Sequence, residues 1–342
     1  MTDKILVTGG AGYIGSHIVI ELSAAGYAPL IIDNFSNSSP SVVPRLSEIA
    51  GHDVPCVTGD IRDRRLLART LSEHAVAAVV HCAGLKAVGE SESRPLAYYD
   101  SNVGGTIALA EAMADAGVKT IVFSSSATVY GQAGNKPISE DAPLMPESVY
   151  GRTKLMIEQL LRDLARSDPA WRVALLRYFN PAGAHASGRI GEAPSATPNN
   201  LMPILAQVGA GKLPEIAVFG SDWPTPDGTG VRDYIHVVDL AEAHVAALAH
   251  LRRASAVTTL NLGTSRGYSV LEAIAAFERA CSKPITRRMA PRRAGDVAIC
   301  VADASAARAT LGWVARRGLD AMCADAWRWQ LHRDACGLTE RA

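Results

Sequence analysis

Three polar residues in the middle of the chain have the types and spacing of an acid–base set. Tyr150 and Lys154 stand four residues apart in "SVYGRTK", and Ser126 ends the upstream segment "TIVFSSS". On a helix, residues at i and i+4 project from one face, so the lysine would lie beside the tyrosine. A free tyrosine has a pKa near ~10, and a neighbouring cation favours the tyrosinate. The set could therefore take a proton from a hydroxyl, with Ser126 hydrogen-bonded to the same oxygen.

A glycine-rich segment near the start favours this interpretation over a surface Tyr–Lys pair and a helix-capping serine. "VTGGAGYIGSH" carries Gly9, Gly12 and Gly15 after an apolar run and before a segment of helical spacing. Such glycines, otherwise a flexible turn, let a helix N-terminus approach a dinucleotide pyrophosphate. Asp33 ends the next apolar run, about 20 residues on, where a carboxylate accepts hydrogen bonds from a ribose diol and repels the extra phosphate of NADP. The pattern predicts bound NAD.

Short Val- and Ile-rich runs alternate with amphipathic segments through the first half of the chain. The runs are "KILVTG", "APLIIDN", "VPCVTGD", "AVAAVVHCAG" and "VKTIVFSSS". This alternation predicts an α/β fold with a Rossmann-type, doubly wound parallel sheet covered on both faces. Each run ends in small or polar residues, at the carboxyl edge where open α/β sheets bind ligands.

The amino-acid composition of the chain changes after Pro181. "PAGAHASGRIGEAPSATPNN" and "GSDWPTPDGTG" are rich in Gly, Pro, Ser and Asn, and long loops of this kind are often functional. We predict an NAD-binding Rossmann domain over residues 1–180 and a smaller, loop-rich, mainly substrate-binding domain over 181–342. A segment at about 231–263 is expected to return to the Rossmann domain.

Composition narrows the class of protein. The chain has 342 residues, 48% hydrophobic and 20% charged, and its formal net charge is zero. Zero net charge argues against a general nucleic-acid or membrane-surface binder. The six cysteines show no metal-type spacing, so we expect no metal site and reduced thiols in a cytoplasmic protein. We find no signal peptide and no apolar run long enough to span a membrane.

Seven segments resemble, in the same order, the UDP-glucose 4-epimerases, a family of extended short-chain dehydrogenases/reductases. They are "VTGGAGYIGSH", "GLKAVGES", "SSSATVYG", "LRYFNPAGAH", "NNLMP", "DGTGVRDYIHV" and "APRRAGD". The resemblance implies the interconversion of UDP-galactose and UDP-glucose without net oxidation. In that reaction NAD⁺ takes a hydride from C4 while Tyr150 takes the hydroxyl proton. The 4-keto sugar then turns, and the hydride returns to its other face.

The resemblance also implies a set of cofactor contacts along the sheet edge. Asp60 is placed at the adenine, although it could instead cap the helix predicted in "IRDRRLL". Ser101 and Cys82 depart from the family pattern, where Asn and Phe are common. The implied contacts are Gly9, Gly12, Tyr13, Ile14, Gly15, Asp33, Asn34, Phe35, Ser36, Asn37, Ser38, Asp60, Ile61, Cys82, Ala83, Gly84, Leu85, Lys86, Ser101, Ser126, Tyr150, Lys154 and Phe179.

A second implied set binds the UDP-sugar. Its arginines, Arg232 and Arg293, could be solvated surface charges, but glycines flank both, and guanidinium groups match phosphate geometry. The implied contacts are Lys86, Ser126, Tyr150, Asn180, Asn200, Leu201, Val218, Phe219, Arg232, Arg293, Asp296 and Cys300.

Cys300 matches the position that borders the hexose. A tyrosine there resembles epimerases of narrow specificity, and a small residue resembles those that accept N-acetylated sugars. Cys300 could be only a buried strand cysteine. However, a thiol in place of a phenol ring leaves room for an acetamido group, so we expect UDP-N-acetylglucosamine and UDP-N-acetylgalactosamine to react as well.

Two other functions are considered. A nucleotide-sugar dehydratase needs an acid–base pair beside the strand-end serine, and "SSSATVYG" has none. A non-catalytic NAD sensor would have no use for Tyr150, Lys154 or the arginines. The resemblance further implies a homodimer built from helices in "NVGGTIALAEAMADAG" and "YGRTKLMIEQLLRDLA". The pathway served is galactose metabolism or the supply of surface-polysaccharide precursors.

Overall fold

The computed structural model describes residues 2–132, 134, 136–193, 198, 200–253, 256–293 and 296–338. Its strands are β1 (Lys4–Thr8), β2 (Ala28–Asp33), β3 (Cys56–Thr58), β4 (Val76–His81), β5 (Thr120–Ser126), β6 (Arg172–Tyr178), β7 (Asn180–Ala182), β8 (Ile216–Phe219), β9 (Val231–Arg232), β10 (Tyr234–His236), β11 (Ala256–Leu262), β12 (Tyr268–Ser269), β13 (Arg287–Ala290) and β14 (Ile299–Cys300).

The helices are α1 (Tyr13–Ala24), α2 (Val42–Ala50), α3 (Arg64–Glu73), α4 (Val88–Ser93), α5 (Pro95–Tyr98), α6 (Gly105–Asp115), α7 (Val149–Ser167), α8 (Leu201–Gly209), α9 (Val237–Leu251), α10 (Val270–Cys281), α11 (Ser305–Leu311) and α12 (Leu319–Ala335). A π-helical turn at Tyr99–Gly104 leads into α6, and a 3₁₀ turn at Ala127–Val129 follows β5. No helix within these described ranges has the length and hydropathy to cross a bilayer.

A seven-stranded sheet in the order β11-β6-β5-β4-β1-β2-β3 forms the centre of the molecule. All its strand pairs are parallel. The predicted Rossmann-type doubly wound sheet is confirmed. Strand order reverses between β1 and β4, so the loops that follow these two strands diverge and leave a crevice at the carboxyl edge.

Hydrophobic cores cover both faces of this sheet. On one face α1, α2, α9 and α11 bury residues such as Ile18 and Leu240. On the other face α3, α6 and α7 bury Leu67, Leu109 and Leu161. Because the strands are buried on both sides, they are continuous apolar runs without polar–apolar alternation.

The second half of the chain builds a third core above the carboxyl edge. Helices α8, α10 and α12 pack around Leu205, Phe277 and Met322, with β8 paired to β13 beside them. The chain also returns to the large sheet, where β11 pairs with β6, and α9 packs on α1. Strands β9, β12 and β14 form a separate three-stranded sheet.

Candidate active site

Ser126, Tyr150 and Lys154 converge at the carboxyl end of β5. Ser126 is the last residue of that strand, and Tyr150 lies in the first turn of α7, whose N-cap Ser148 accepts a hydrogen bond from the Gly151 amide. The Ser126 side chain lies beside the Tyr150 hydroxyl and lowers the pKa of that group. The Lys154 ammonium lies 5.8 Å from the centre of the Tyr150 ring. The acid–base arrangement expected from the spacing is therefore assembled.

Burial sets the protonation states of the set. Burial raises the pKa of Tyr150 to about 12, although Ser126 opposes the shift. Burial lowers the pKa of Lys154 to about 8, although Cys82 and Glu158 act in the opposite direction and raise it. The expected fall in the pKa of Tyr150 is thus absent in the protein alone, because burial raises that pKa by more than Ser126 lowers it.

The Lys154 ammonium is held by the backbone of β5. It donates a 2.8 Å hydrogen bond to the Ser124 carbonyl and lies 4.8 Å from the centre of the Phe123 ring. Ser126 Oγ accepts hydrogen bonds from the amide and hydroxyl of Thr128, so its own proton is free to point at another oxygen. The site can therefore move a proton between Tyr150 and a hydroxyl placed between it and Ser126.

The glycine loop is packed so closely that side chains at Gly9 and Gly15 would collide with the backbone, and this leaves the loop open to a dinucleotide. A Cβ on Gly15 would lie 2.2 Å from the Gly9 carbonyl oxygen, and one on Gly9 would lie 2.9 Å from the Ala83 backbone. Gly9 also has a φ of +68°. Gly12 is the N-cap of α1 without a side-chain cap, which leaves helix amides open to a phosphate. Tyr13 donates to the Gly183 carbonyl, and Ile14 packs on the core.

Asp33 ends β2 and organises the loop that follows it. Its carboxylate accepts hydrogen bonds from the amides of Ala11 and Phe35 and from the Ser38 hydroxyl. Phe35 has a φ of +56°, a conformation that this carboxylate stabilises. Ser36 and Asn37 are both exposed in the same loop. The oxygen that accepts from Ala11 has a second lone pair, with which it could accept a hydrogen bond from a ribose hydroxyl.

Asp60 does not cap a helix. Asp63 does so, by accepting a hydrogen bond from the Leu66 amide. Asp60 instead accepts from Asn34 and Arg62, which hold its pKa well below the usual range. The capping alternative is therefore wrong, since the helix begins three residues later than the sequence suggested. Ile61 is buried against Gly105.

The segment from residue 82 to 86 follows β4 along the crevice. The Ser124 hydroxyl donates to the Cys82 thiol, and the Ala83 amide donates to Thr8. Gly84 has a φ of +150°, and Leu85 exchanges two backbone hydrogen bonds with the Asn102 side chain. Asn102 is therefore the residue that shapes this segment, while its neighbour Ser101 is half-buried in the π-helical turn.

Glu192 is a site residue that sequence reasoning missed. Its carboxylate pairs with Lys86 at 2.9 Å and accepts a 2.6 Å hydrogen bond from Asn200. Lys86 is thus already paired, and a phosphate would compete with Glu192 for it. The available signal was a lone carboxylate in the glycine- and proline-rich stretch "GRIGEAP".

The residues expected on the uridine side lie in the second half of the molecule. Asn180 is exposed at the start of β7, and Leu201 begins α8 after Asn200. Phe219 is partly exposed at the end of β8 and stacks under Arg293 at 4.6 Å. The Val218 side chain is buried in the third core, so only its backbone can reach a ligand.

Asp296 lies between the two predicted arginines. It accepts from Arg293 at 3.0 Å and is 3.9 Å from Arg232. Arg232 is paired with Cys300 in the register of β9 and β14. Burial raises the pKa of the Cys300 thiol to about 11, so the thiol is neutral.

Phe179 and Cys300 pack in one small cluster with Val129 and Ala302. Phe179 is buried and follows β6, next to the acid–base set, so this cluster joins the two predicted ligand sets. No group of three or more His, Cys, Asp or Glu residues within the described ranges could hold a metal ion.

A family model and individual known proteins both match this chain to the same family. The model of the NAD dependent epimerase/dehydratase family matches residues 5–263. A UDP-glucose 4-epimerase of Bacillus subtilis (strain 168) is 57% identical over 95% of this chain and 96% of its own length.

Solved structures agree with this result. The UDP-glucose-4-epimerase of Stenotrophomonas maltophila, crystallised with NAD and formylated UDP-arabinopyranose, has a TM-score of 0.96 and 54% identity, covering 98% of this chain and 99% of its own. The UDP-Glc/GlcNAc 4-epimerase of Campylobacter jejuni has a TM-score of 0.84 and 35% identity, covering 96% and 99%. The chain therefore belongs to the NAD-dependent epimerase/dehydratase family and, within it, to the UDP-glucose 4-epimerases.

Proposed function

We propose that the chain interconverts UDP-galactose and UDP-glucose by reversible oxidation at C4 of the hexose, with NAD as its bound cofactor. The observation that carries the proposal is the meeting of Ser126, Tyr150 and Lys154 at the sheet edge where the glycine loop opens. The structural relative crystallised with NAD and a UDP-sugar supports the same pair of ligands.

The cofactor would lie along the glycine loop, Asp33 and the segment from residue 82 to 86. When bound, NAD⁺ supplies the two-electron acceptor for C4 and a positive charge beside Tyr150. Tyr150 exchanges the proton of the C4 hydroxyl, Ser126 holds that oxygen, and Lys154 stabilises the tyrosinate. Because burial raises the pKa of Tyr150, the positive charges of Lys154 and of a bound nicotinamide would together favour the tyrosinate.

The UDP moiety would be held from the second half of the molecule. Arg232 and Arg293 suit its diphosphate, and Asp296 between them suits the uridine ribose. Phe219 provides an exposed ring edge for the uracil. We propose accordingly that residues 181–342 mainly bind the UDP-sugar, that residues 1–180 bind NAD, and that the segment at about 231–263 returns to the Rossmann domain. The pairing of β11 with β6 supports this division.

We propose that N-acetylated UDP-hexoses are substrates as well. The Cys300 thiol is small, neutral and packed in one cluster with Phe179. It occupies less volume than an aromatic ring would, and this leaves room for an acetamido group on the hexose. The similarity to the Campylobacter jejuni enzyme supports this breadth.

The test is an assay of the wild type and of Cys300→Tyr with UDP-glucose, UDP-galactose and both N-acetyl forms. We expect the wild type to act on all four and Cys300→Tyr to lose the N-acetyl pair. Cys300→Ser is the matched control, since it keeps the small volume and should keep all four activities. A wild type that acts on none of the four would refute the proposed function, and one restricted to the unacetylated pair would refute the wider specificity.

We also propose a cytoplasmic homodimer. The free cysteines of the described ranges suit a reducing compartment. Apolar side chains are exposed on neighbouring helices, including Leu96 of α5, Ile107 of α6 and Met156 of α7. An exposed apolar set of this kind suits a subunit interface.

A further inference from the structure

Behind the acid–base set lies a buried ion pair that no step of the proposed reaction uses. Arg177 of β6 and Glu158 of α7 are both almost fully buried, at 2% and 1% exposure. Arg177 donates through Nε and a terminal nitrogen to the two carboxylate oxygens, at 2.8 and 2.6 Å. This geometry is the bidentate form, which fixes orientation as well as distance.

The pair belongs to a ladder of contacts between β5 and α7. Three consecutive residues of the strand meet three residues of the helix spaced four apart. The Ser124 carbonyl accepts from Lys154, the Ser125 hydroxyl donates to Glu158 at 2.6 Å, and the Ser126 side chain lies beside the Tyr150 hydroxyl. Since residues i, i+4 and i+8 share one helix face, the three contacts together fix the height of α7 on β5.

Arg177 also connects these contacts between β5 and α7 to β6 and β11. Its other terminal nitrogen donates to the Tyr130 hydroxyl and the Glu140 carbonyl, and Tyr130 donates to Asn261 of β11. Glu158 is therefore anchored through Arg177 to β6 and β11 and not only to the helix that carries it.

Stability alone is a poor reason for such a pair. A buried ion pair contributes little net stability compared with apolar residues of the same volume, because both charges lose their hydration. Its geometry, in contrast, restricts the helix to one register on the strand. We propose that Glu158 and Arg177 are positioning residues that fix the height of α7 on β5, and with it the placement of Tyr150 and Lys154 against Ser126. This inference rests on the proposed function.

The charge of Glu158 adds a second effect on Lys154. The ammonium faces His81 at the end of β4 and Cys82 just after it, Phe123 and Ser124 from β5, and Tyr150 and Glu158 from its own helix. Of these groups, Glu158 and the thiol of Cys82 raise the pKa of Lys154, which burial lowers to about 8. Loss of Glu158 should therefore lower that pKa further and leave less of the lysine charged near neutral pH.

The decisive variant is the double substitution Glu158→Gln with Arg177→Met, which removes the pair without leaving a buried unpaired charge. We expect a folded protein whose kcat falls about 10- to 100-fold, since small misplacements of reacting groups carry such losses. KM should change little. The pKa of Lys154, followed by NMR of its ε-carbon in the protein without substrate, should drop below the wild-type value.

Two single variants complete the test. Ser125→Ala removes the hydrogen bond between β5 and Glu158 but keeps the Glu158 charge, so kcat should fall while the pKa of Lys154 stays near its wild-type value. Leu161→Ala, on the same helix and equally buried, is the control for general destabilisation. It should lower the Tm and leave kcat and the Lys154 titration unchanged.

A double variant with kcat within about threefold of wild type and an unchanged Lys154 titration would overturn the inference. If the double variant fails to fold, Ser125→Ala decides, and an unaltered kcat in that variant would overturn the inference equally. The titration needs no substrate. A wild type without epimerase activity would therefore refute the proposed function while the role of Glu158 in the lysine titration is still measured.

Discussion

At the scale of single residues, burial opposes the charge states that the proposed reaction needs. It raises the pKa of Tyr150 to about 12 and lowers that of Lys154 to about 8. The residue types and their spacing predicted the set, and the geometry agrees with the spacing. The pKa values could not be predicted from the sequence, because they depend on the depth at which the fold places these groups.

Replacing Tyr150 by Phe removes only the hydroxyl that would exchange the proton. We expect the variant to fold, to retain NAD and to lose about 10²- to 10⁴-fold in kcat, the usual contribution of an acid–base group. Steady-state assays beside cofactor quantification in denatured protein provide the measurement. Activity within a few-fold of wild type would contradict the assignment.

Replacing Lys154 by Met should lower the activity and, near neutral pH, raise the stability. We expect lower activity, a higher pH of tyrosine ionisation in the pH–rate profile and weaker NAD retention, because the cation is lost. An unchanged profile with full NAD content would count against the assignment. The same variant should be more stable near neutral pH, because the helix no longer buries a charged lysine.

At the scale of elements, α7 buries a charged lysine at a cost in stability. The pKa of Lys154 is lower in the folded state than in the unfolded state, so the unfolded state binds more protons between about pH 8 and 10.5. Wild-type stability should therefore rise with pH across that window, relative to the Lys154→Met variant. Chemical denaturation at pH 7 and at pH 9.5 measures this. A difference between the two proteins that is the same at both pH values would contradict the shifted pKa.

The loop between β1 and α1 offers a second test. Gly15→Ala places a Cβ 2.2 Å from the Gly9 carbonyl oxygen, so the loop must move and the helix amides lose their alignment. We expect loss of NAD binding in a calorimetric titration. Gly89→Ala is the matched control, since a Cβ there meets no atom within 4 Å. Equal NAD affinity in both variants would show that the loop does not hold the cofactor.

The elements also show where sequence reasoning stops. Apolar runs and glycines predicted the strands and the first helix, because both patterns are local. The cap at Asp63 in place of Asp60 and the pairing of Glu192 with Lys86 were missed. The first depends on where a helix begins within one turn, and the second joins residues 106 positions apart.

At the scale of the whole molecule, the exposed apolar side chains on α5, α6 and α7 predict association. The double variant Ile107→Glu with Met156→Glu should give a monomer by light scattering, because two buried carboxylates per subunit would face the partner. Met289→Glu, at a comparably exposed position on β13, is the control and should remain a dimer. A wild type with a monomer mass at micromolar concentration would refute the homodimer.

The central claim is that C4 of the hexose is oxidised and reduced again within one site. The most direct measurement uses UDP-galactose deuterated at C4 and follows the UDP-glucose formed by mass spectrometry and NMR. We predict UDP-glucose that keeps the deuterium at C4, because a hydrogen transferred as hydride does not exchange with solvent. Formation of no UDP-glucose, or of UDP-glucose with solvent hydrogen at C4, would contradict the account.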